Sequence, residues 1–271
     1  MCQAFADNGH EVVLLAPNLK TKYESDIRDI YEYYGVKKNF EIKKLWHPDV
    51  VGGAVIYTIL NFLYILFTKN FNLVYGRFLQ GCYVATFLKN RVIFESHESV
   101  FDMKALRYFV FKQLVKSKSF EKLVVISNAL RKLSLKKKFL QEIKIQVAHD
   151  GADKVEDLQN KVKLLGKRET LKVGYVGHLY SGKGMEIINS IANKFDDDVD
   201  FHIIGGTERD INSWKDKIFN KNVYFYGHIS HKNVSNYINS LDLCLLPNQK
   251  IVRPHGGKDN KINISGYTSP L

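Results

Sequence analysis

Residues 173–184, VGYVGHLYSGKG, combine a short apolar run with four glycines and one lysine. The run 173–176 is β-branched and predicts a buried strand, and the apolar spacing from Met185 onwards predicts a helix. A flexible loop that carries Lys183 therefore lies between a strand end and a helix start. Backbone N–H groups and the positive end of the helix dipole converge there, which suits a phosphate. The stretch predicts a site for the diphosphate of a nucleotide.

The same loop matches most of the P-loop pattern GxxxxGK[ST], with Gly177, Gly182 and Lys183 in register. Its last position is Gly184, so the hydroxyl that would hold Mg²⁺ is missing. This difference is compatible with phosphate binding but not with metal-dependent hydrolysis. A plain glycine-rich turn with a solvated lysine explains the spacing equally well.

A second polar group, Glu95-Ser96-His97-Glu98, follows the predicted strand 92–94. Ligands of open α/β sheets bind at the carboxyl ends of the strands. There His97 could give a hydrogen bond or a proton to a substrate oxygen, and a histidine that caps the following helix is an equal alternative. Residues 149–153, HDGAD, end the last strand of the first half, where turn residues beside a glycine are the favoured interpretation.

Two further patterns indicate a site less strongly. The triplet 198–200 has the DxD spacing of a metal site for a sugar nucleotide, but a solvated acidic turn explains it better. The basic run 130–138 indicates a solvated helix face, with attraction to anionic lipid headgroups as the alternative. No aromatic platform or nucleic-acid-binding motif accompanies it, so nucleic acid ranks last among the partners.

The composition indicates a globular protein with a strong basic excess. With 271 residues, 45% of them hydrophobic, the chain is long enough for two domains with cores of their own. The net charge of +12 suits nucleic acid, an anionic membrane surface or phosphorylated substrates. Cys2, Cys82 and Cys244 form no CxxC pair, which indicates reduced core thiols in a cytosolic protein. Charged residues interrupt the first stretch, so we expect no signal peptide.

Strands and helices alternate along the sequence, the pattern of a parallel doubly wound sheet. In the first half, strands are predicted at 11–15, 42–45, 73–75, 92–95, 123–126 and 143–147, and helices at 50–67, 79–88, 104–116 and 128–139. In the second half, strands are predicted at 172–176, 201–204, 223–226 and 243–246, and helices at 185–195, 210–219 and 233–240. Ser127 is placed as an N-cap. We predict a domain over 1–152, a polar linker over 153–170 and a domain over 171–271.

The apolar segment 50–67, VVGGAVIYTILNFLYILF, is near the lower limit of about 17–25 residues for a membrane-spanning helix. Thr58, Asn61 and the Gly52-Gly53 pair weaken that interpretation. A buried helix or a helix on a membrane surface is favoured.

These segments together resemble the GT-B glycosyltransferases, specifically the family 4-like group that uses nucleotide sugars. The resemblance covers nearly the whole chain and rests on FADNGHEVVLLAP, LVYGRF, VIFESHE, VVISNALRKL, HDGAD, VGYVGHLYSGKG, HIIGG, VYFYGHISHKNVSNYINSLDLCLLP and SGYTSPL. It implies an α/β protein with two Rossmann-like domains, both parallel doubly wound sheets. The acceptor-side domain would lack its first strand, and the nucleotide-sugar-binding domain would be incomplete.

The resemblance also implies an activity. Such an enzyme moves a sugar from a nucleotide-sugar donor, UDP- or GDP-linked, to a glycan or lipid-linked acceptor, with retention at the anomeric carbon and without a metal or cofactor. The implied setting is cell-envelope or polysaccharide biosynthesis in the cytoplasm, with the anionic inner face of the plasma membrane as a partner.

The resemblance assigns roles to particular residues. His97 would be catalytic and face the acceptor and the transferred sugar. The implied nucleotide-binding residues are Gly177, His178, Lys183, Gly184 and Gly205. Lys183 would contact phosphate and offset the charge that develops on the leaving diphosphate. His178 stands where the family often has arginine, so phosphate contact at that position depends on its protonation.

Two family segments have no counterpart in the sequence. One is the glycine-rich loop after the first strand, and the other is the K-x-x-E segment expected after residue 271, whose glutamate helps to hold the donor. We therefore expect a fragment truncated at both ends, with an incomplete donor site and little or no transferase activity by itself. A P-loop-like nucleotide-binding module and a non-catalytic α/β fragment are the alternatives.

Overall fold

A computed structural model describes most of the chain. The described residues are 1–18, 27–68, 71–99, 103–136, 140–151, 160–167, 169–195, 198–218, 220–253 and the backbone of 262–263.

The first half alternates strands and helices. Its elements are α1 (Cys2–Asp7), β1 (Val13–Asn18), α2 (Ile30–Tyr34), β2 (Glu41–Trp46), α3 (Gly53–Phe67), β3 (Leu73–Gly76), α4 (Leu79–Ala85), β4 (Arg91–Ser96), α5 (Ala105–Lys116), β5 (Phe120–Val125), α6 (Asn128–Leu135) and β6 (Ile145–Val147). Short 3-10 helices lie at Thr86–Leu88 and Glu142–Lys144. β1 and β2 form a parallel pair, and β3 to β6 form a parallel four-stranded sheet in chain order.

The second half repeats the alternation with a different strand order. Its elements are β7 (Leu171–Val176), α7 (Met185–Ala192), β8 (Val199–Ile204), α8 (Glu208–Lys215), β9 (Val223–Gly227), α9 (His231–Ile238), β10 (Leu243–Cys244), β11 (Ile251–Val252) and β12 (Ile262–Asn263). The main sheet is parallel with the order β10-β7-β8-β9, and β11 pairs with β12 in antiparallel fashion. Successive strands are added on one side of β7, as β8 and β9, and then on its other side, as β10. The junction between β7 and β10 is therefore a topological switch point.

Each half has its own cluster of buried apolar side chains. Phe94 and Phe111 are fully buried in the first cluster, with their ring centroids 6.0 Å apart. Tyr175, Ile188 and Phe201 are buried in the second. Parallel strands covered by helices require such apolar runs. The predicted fold class, α/β with two Rossmann-like parallel sheets, is confirmed.

Residues 153–159 and 168 of the predicted linker 153–170 lie outside the described residues. The described stretch 160–167 contacts the second half, where the backbone N–H of Val162 donates to the Ser240 hydroxyl over 2.8 Å. The domain boundaries at 152 and 171 stay a prediction.

The triplet with DxD spacing is part of β8 from Val199 onwards. Asp200 is buried, and its Oδ2 accepts hydrogen bonds from the Lys167 backbone N–H (3.0 Å) and the Thr170 hydroxyl (2.6 Å). The carboxylate therefore fastens the segment before β7 to the sheet. The expectation of a solvated turn is wrong for Asp200, because the strand begins one residue before it.

Two local expectations in the first half are corrected. β1 begins at Val13 and continues through Pro17, beyond the strand predicted at 11–15. An edge strand tolerates proline because its outer N–H groups have no ladder partner. The sequence analysis also missed α2. The Asp29 carboxylate caps this helix by accepting from the N–H groups of Tyr31 and Glu32, and Gly35 ends it at φ 64°. Both are recognisable cap residues.

Helix α3 confirms the helix predicted at 50–67, although it begins at Gly53 and has 15 residues. Among the described helices, none combines the length and the apolar character that crossing a membrane requires. All three cysteines are free, with Cys82 buried and Cys244 exposed. The expected core position is wrong for Cys244, because β10 is short and lies at the edge of its sheet.

Several described contacts join the two halves. Lys232 of α9 pairs with Glu32 of α2 over 2.7 Å, and the Tyr33 hydroxyl lies 3.5 Å from Nε2 of His228. Exposed pairs of this kind stabilise by less than about 1 kcal/mol. These contacts therefore hold the two halves together only weakly.

Candidate functional site

The carboxyl ends of β3 and β4 carry a network centred on Glu95. This carboxylate is buried, with 3% of its side chain exposed. Its Oε1 accepts from Nη2 of Arg77 (2.7 Å) and from Nε2 of His97 (2.5 Å), and its Oε2 accepts from the Tyr75 hydroxyl (2.6 Å). Three donors from two neighbouring strand ends thus share one carboxylate.

The network shifts the pKa values of Glu95 and Tyr75 and determines which nitrogen of His97 faces the carboxylate. Burial is the largest influence on the pKa of Glu95 and raises it, but the bonds from Tyr75, His97 and Arg77 together outweigh burial, so the pKa is held below its usual value. Burial and the neighbouring carboxylate raise the pKa of the Tyr75 hydroxyl. Because an ionised carboxylate only accepts, Nε2 of His97 must carry the hydrogen. Its Nδ1 is then the nitrogen left for a substrate.

Asp150, three residues beyond β6, brings a second carboxylate to this edge of the sheet. Ligand atoms of Glu95, His97 and Asp150 all lie within 4.8 Å of one another, a spacing that a metal ion could use. Oε1 of Glu95 already pairs with Nη2 of Arg77 over 2.7 Å, however, and the guanidinium charge would repel a second cation at the same oxygen. The arrangement therefore suits hydrogen bonding and proton transfer better than metal binding. The expectation that no metal takes part stays a prediction.

The loop after β7 is built on close backbone approaches. A Cβ on Gly205, which follows β8 at φ +113°, would lie 2.3 Å from the carbonyl oxygen of Gly177. Gly184 is the N-cap of α7 at φ +95°, and a Cβ there would lie 2.3 Å from the carbonyl oxygen of Pro247. Two of the predicted nucleotide-binding glycines, Gly184 and Gly205, therefore hold positions at which a side chain would collide with backbone. The loop lies at the switch point beside β7, where α/β sheets bind ligands.

Lys183 precedes the N-cap of α7 and is half-buried. Burial lowers the pKa of its ammonium, and none of the carboxylates in the described part of the chain pairs with it. Its Nζ lies 5.5 Å from the centre of the Tyr180 ring, which also stacks on the exposed ring of His178 at 5.5 Å. A lysine that directly precedes a helix N-terminus and that pairs with no described carboxylate is a suitable phosphate ligand.

The structure adds residues that the sequence analysis missed. Arg253, directly after β11, donates its backbone N–H to the Ser181 carbonyl (2.9 Å), and Nη1 lies 3.5 Å from the Ser181 hydroxyl. The Gln249 backbone N–H donates to the Gly182 carbonyl over 2.8 Å. The segment 247–253 thus supports the loop and adds a second cation to it. In the sequence, only the polar character of this segment could have indicated that it supports the loop.

The predicted residues fall into two groups on different sheets. His97 lies on the first sheet, and the nucleotide-binding set lies on the second, where Gly177, His178, Lys183, Gly184 and Gly205 share the ends of β7 and β8. The basic run 130–138 is partly on α6, where Leu130 is buried and Arg131 pairs with Glu142. Its last residues lie outside the described part.

Sequence comparison gives no relatives: neither a protein-family model nor a curated protein matches the chain. Solved structures do resemble it. A glycosyltransferase from Rickettsia africae matches with a TM-score of 0.62 at 14% identity, over 91% of this chain and 67% of that one. Anabaena Alr3699/HepE in complex with UDP-glucose matches with a TM-score of 0.61 at 13% identity, over 90% and 67%. The fold is GT-B.

The GT-B fold is shared by proteins with different reactions. A UDP-N-acetylglucosamine 2-epimerase also matches, with a TM-score of 0.53 at 10% identity, over 89% of this chain and 68% of that one. In its complex with UDP and glucose, HepE is matched over only 60% of its length, so the chain spans less than two thirds of that structure. The similarity therefore establishes the fold, and the reaction has to be argued from the site.

Proposed function

We propose that the chain is part of a glycosyltransferase that moves a sugar from a UDP- or GDP-linked donor to a glycan or lipid-linked acceptor. The observation that carries the proposal is the position of Lys183, a half-buried cation at the start of α7 beside the switch point of the second sheet, which pairs with no carboxylate of the described residues. We further propose a retaining, metal-independent reaction in the cytoplasm that serves cell-envelope or polysaccharide biosynthesis.

The donor diphosphate would bind the loop between β7 and α7. The ammonium of Lys183 and the first N–H groups of α7 supply positive charge, and no carboxylate among the described residues competes for Lys183. Gly184 and Gly205 allow the backbone of the loop to pack closely against Pro247 and Gly177, which would hold the N–H groups of the loop in place for the phosphates. The complexes of HepE with UDP and with UDP-glucose support a nucleotide sugar as the ligand.

The acceptor and the transferred sugar would meet His97. Because Glu95 holds Nε2–H of this histidine, the imidazole is fixed in one orientation and one tautomer. Nδ1 can then accept a hydrogen bond or a proton from a sugar hydroxyl. Glu95 acts through His97 and is a positioning residue in this account.

Breaking the bond between the sugar and the diphosphate leaves negative charge on the departing phosphate oxygen. With the diphosphate in this loop, Lys183 and the N–H groups at the start of α7 would be close to that oxygen and would stabilise its charge electrostatically. His178 offers ring nitrogens and not the five N–H donors of a guanidinium, so its contribution at this position would be smaller than that of an arginine.

A thermal-shift panel of UDP, GDP, ADP and ATP, each with and without Mg²⁺, tests the donor site. A ligand at about one hundred times its Kd raises stability by about 2.7 kcal/mol, a shift that is readily measured. We expect UDP or GDP to stabilise the protein without metal. Lys183→Ala should weaken this binding about tenfold or more, because a hydrogen bond to a charged group contributes about 1.5–3 kcal/mol.

Lys194→Ala is the matched control, because this exposed lysine lies beyond the opposite end of the same helix. It should bind UDP as the wild type does. Equal loss in both variants, or no response to any nucleotide, would contradict the proposal. Stabilisation by ATP only in the presence of Mg²⁺ would instead favour the P-loop-like module.

A further inference from the structure

The segment that follows β10 lies against the loop between β7 and α7. We call residues 247–253 the loop arm. The Gln249 backbone N–H donates to the Gly182 carbonyl over 2.8 Å, and a second bond lies near the end of the arm. There the Arg253 backbone N–H donates to the Ser181 carbonyl over 2.9 Å. Because both bonds join backbone groups, a change of side chain at either position leaves them possible.

Glycines in the loop allow the loop arm to approach closely. A Cβ on Gly182 would lie 2.2 Å from the carbonyl oxygen of Ile251 and 2.7 Å from Cα of Val252. At the other end of the arm, a Cβ on Gly184 would lie 2.3 Å from the carbonyl oxygen of Pro247. Val252 is also buried, with 4% of its surface exposed. The backbone of the arm therefore packs directly on the loop, and the residue after Val252 starts from a fixed position.

That residue is Arg253, whose guanidinium lies beside the loop. Its Nη1 is 3.5 Å from the Ser181 hydroxyl, and Lys183 follows in the same loop. The arginine is exposed, and it forms no ion pair with a carboxylate in the described part of the chain. Its remaining N–H groups can therefore meet a ligand, in the planar arrangement that pairs with the oxygens of a phosphate.

The charge of a diphosphate calls for more than one cation at this loop. Each phosphate of a nucleotide sugar is ionised at neutral pH, so a bound donor brings more negative charge than Lys183 alone offsets. Glu186 adds a carboxylate in the first turn of α7, where it accepts from the Gln249 side-chain amide over 3.4 Å. A second cation beside the loop would therefore lower the repulsion that a bound diphosphate meets.

We infer that Arg253 is a second cationic ligand of the donor diphosphate, held at the loop by the loop arm and acting together with Lys183. The inference rests on the proposed function, because it places the diphosphate at the same loop. The guanidinium would pair with phosphate oxygens through its N–H donors. The same pairing would stabilise the negative charge that the departing phosphate oxygen acquires.

Calorimetric titration with UDP, without metal and at low salt, tests this assignment. Arg253→Ala should weaken UDP binding about fivefold or more, because a charge-assisted pair with phosphate is lost. Arg253→Lys keeps the charge and should lose less. Lys250→Ala is the matched control, because Lys250 is an exposed cation of the same arm and has no hydrogen bond or ion pair with the described residues. It should bind UDP as the wild type does.

The outcomes separate this inference from the proposed function. The loss in Arg253→Ala should shrink as the NaCl concentration rises, since an exposed ion pair is screened, while the melting temperature without ligand stays that of the wild type. UDP binding that is lost in Lys183→Ala but unchanged in Arg253→Ala would overturn the inference and leave the proposed function intact. Equal losses in Arg253→Ala and Lys250→Ala would overturn it as well. A wild-type protein that does not bind UDP would contradict both.

Discussion

Replacing Glu95 by glutamine keeps the shape of the side chain but removes the charge at the centre of the network. Oε1 accepts from both Arg77 and His97, and Oε2 accepts from Tyr75. The amide can present only one oxygen. Its best orientation puts that oxygen at the position of Oε1, so its NH₂ group then meets the Tyr75 hydroxyl.

The expected loss of stability follows from this geometry. The Tyr75 oxygen can accept from that NH₂ group, so no bond need be lost, but the bonds with Tyr75 and His97 no longer involve a charged carboxylate. A hydrogen bond to a charged group contributes about 1.5–3 kcal/mol, and a neutral one about 1 kcal/mol. Arg77 is more than half exposed, so the loss of its charge pairing adds little. We expect Glu95→Gln to lower the free energy of unfolding by about 2 kcal/mol near neutral pH.

The difference should depend on pH in one direction. The pKa of Glu95 is held below its usual value of 4.5 in the folded protein. The stabilisation that this carboxylate provides is therefore present above about pH 4.5 and is lost as the pH falls towards the folded pKa. The wild type and the variant should become more alike below that pH.

Urea unfolding at neutral pH and near pH 4 measures both effects. Glu121→Gln is the matched control, because Glu121 pairs with Arg91 at the surface and should lose less than about 1 kcal/mol. If Glu95→Gln unfolds within about 0.5 kcal/mol of the wild type at neutral pH, the network does not have the strength inferred here.

Three further predictions concern the second half. Burial lowers the pKa of His202 to about 4, so the free energy of unfolding should fall by about 2 kcal/mol between pH 7.5 and about pH 5. In urea titrations, the stability of His202→Phe should not show this pH dependence. Gly184→Ala should lower the melting temperature markedly, because the position has a positive φ and the new Cβ would collide with the Pro247 carbonyl oxygen. Gly151→Ala should leave the melting temperature unchanged, because a Cβ there meets no atom within 4 Å. Thr207→Ala should cost about 1 kcal/mol by removing the capping box of α8, and Ser230→Ala, whose hydroxyl caps nothing, should be nearly neutral in the same denaturation assay.

Local patterns in the sequence predicted most elements of the fold. The N-cap at Ser127 is confirmed, since its hydroxyl accepts from the Leu130 N–H at 3.2 Å. The short element α2 was missed because it has too few residues to show a helical period, although its caps were present. Element ends were less predictable, as β10 shows by pairing over only two residues.

The sequence could predict only those residues of the candidate site that belong to a local motif. The spacing of the loop around Lys183 indicated phosphate binding, and the structure shows why its glycines are needed. The partners of His97 could not be derived in the same way. Arg77 comes from another strand, and the sheet order that brings it to Glu95 is a property of the tertiary fold.

Backbone amide shifts during a UDP titration, recorded by NMR without metal, test the central claim most directly. The account predicts saturable shifts concentrated at the loop between β7 and α7 and at Gly205, and their loss in Lys183→Ala. Shifts that are absent, or that cluster away from this loop, would contradict the assignment of the donor diphosphate to it.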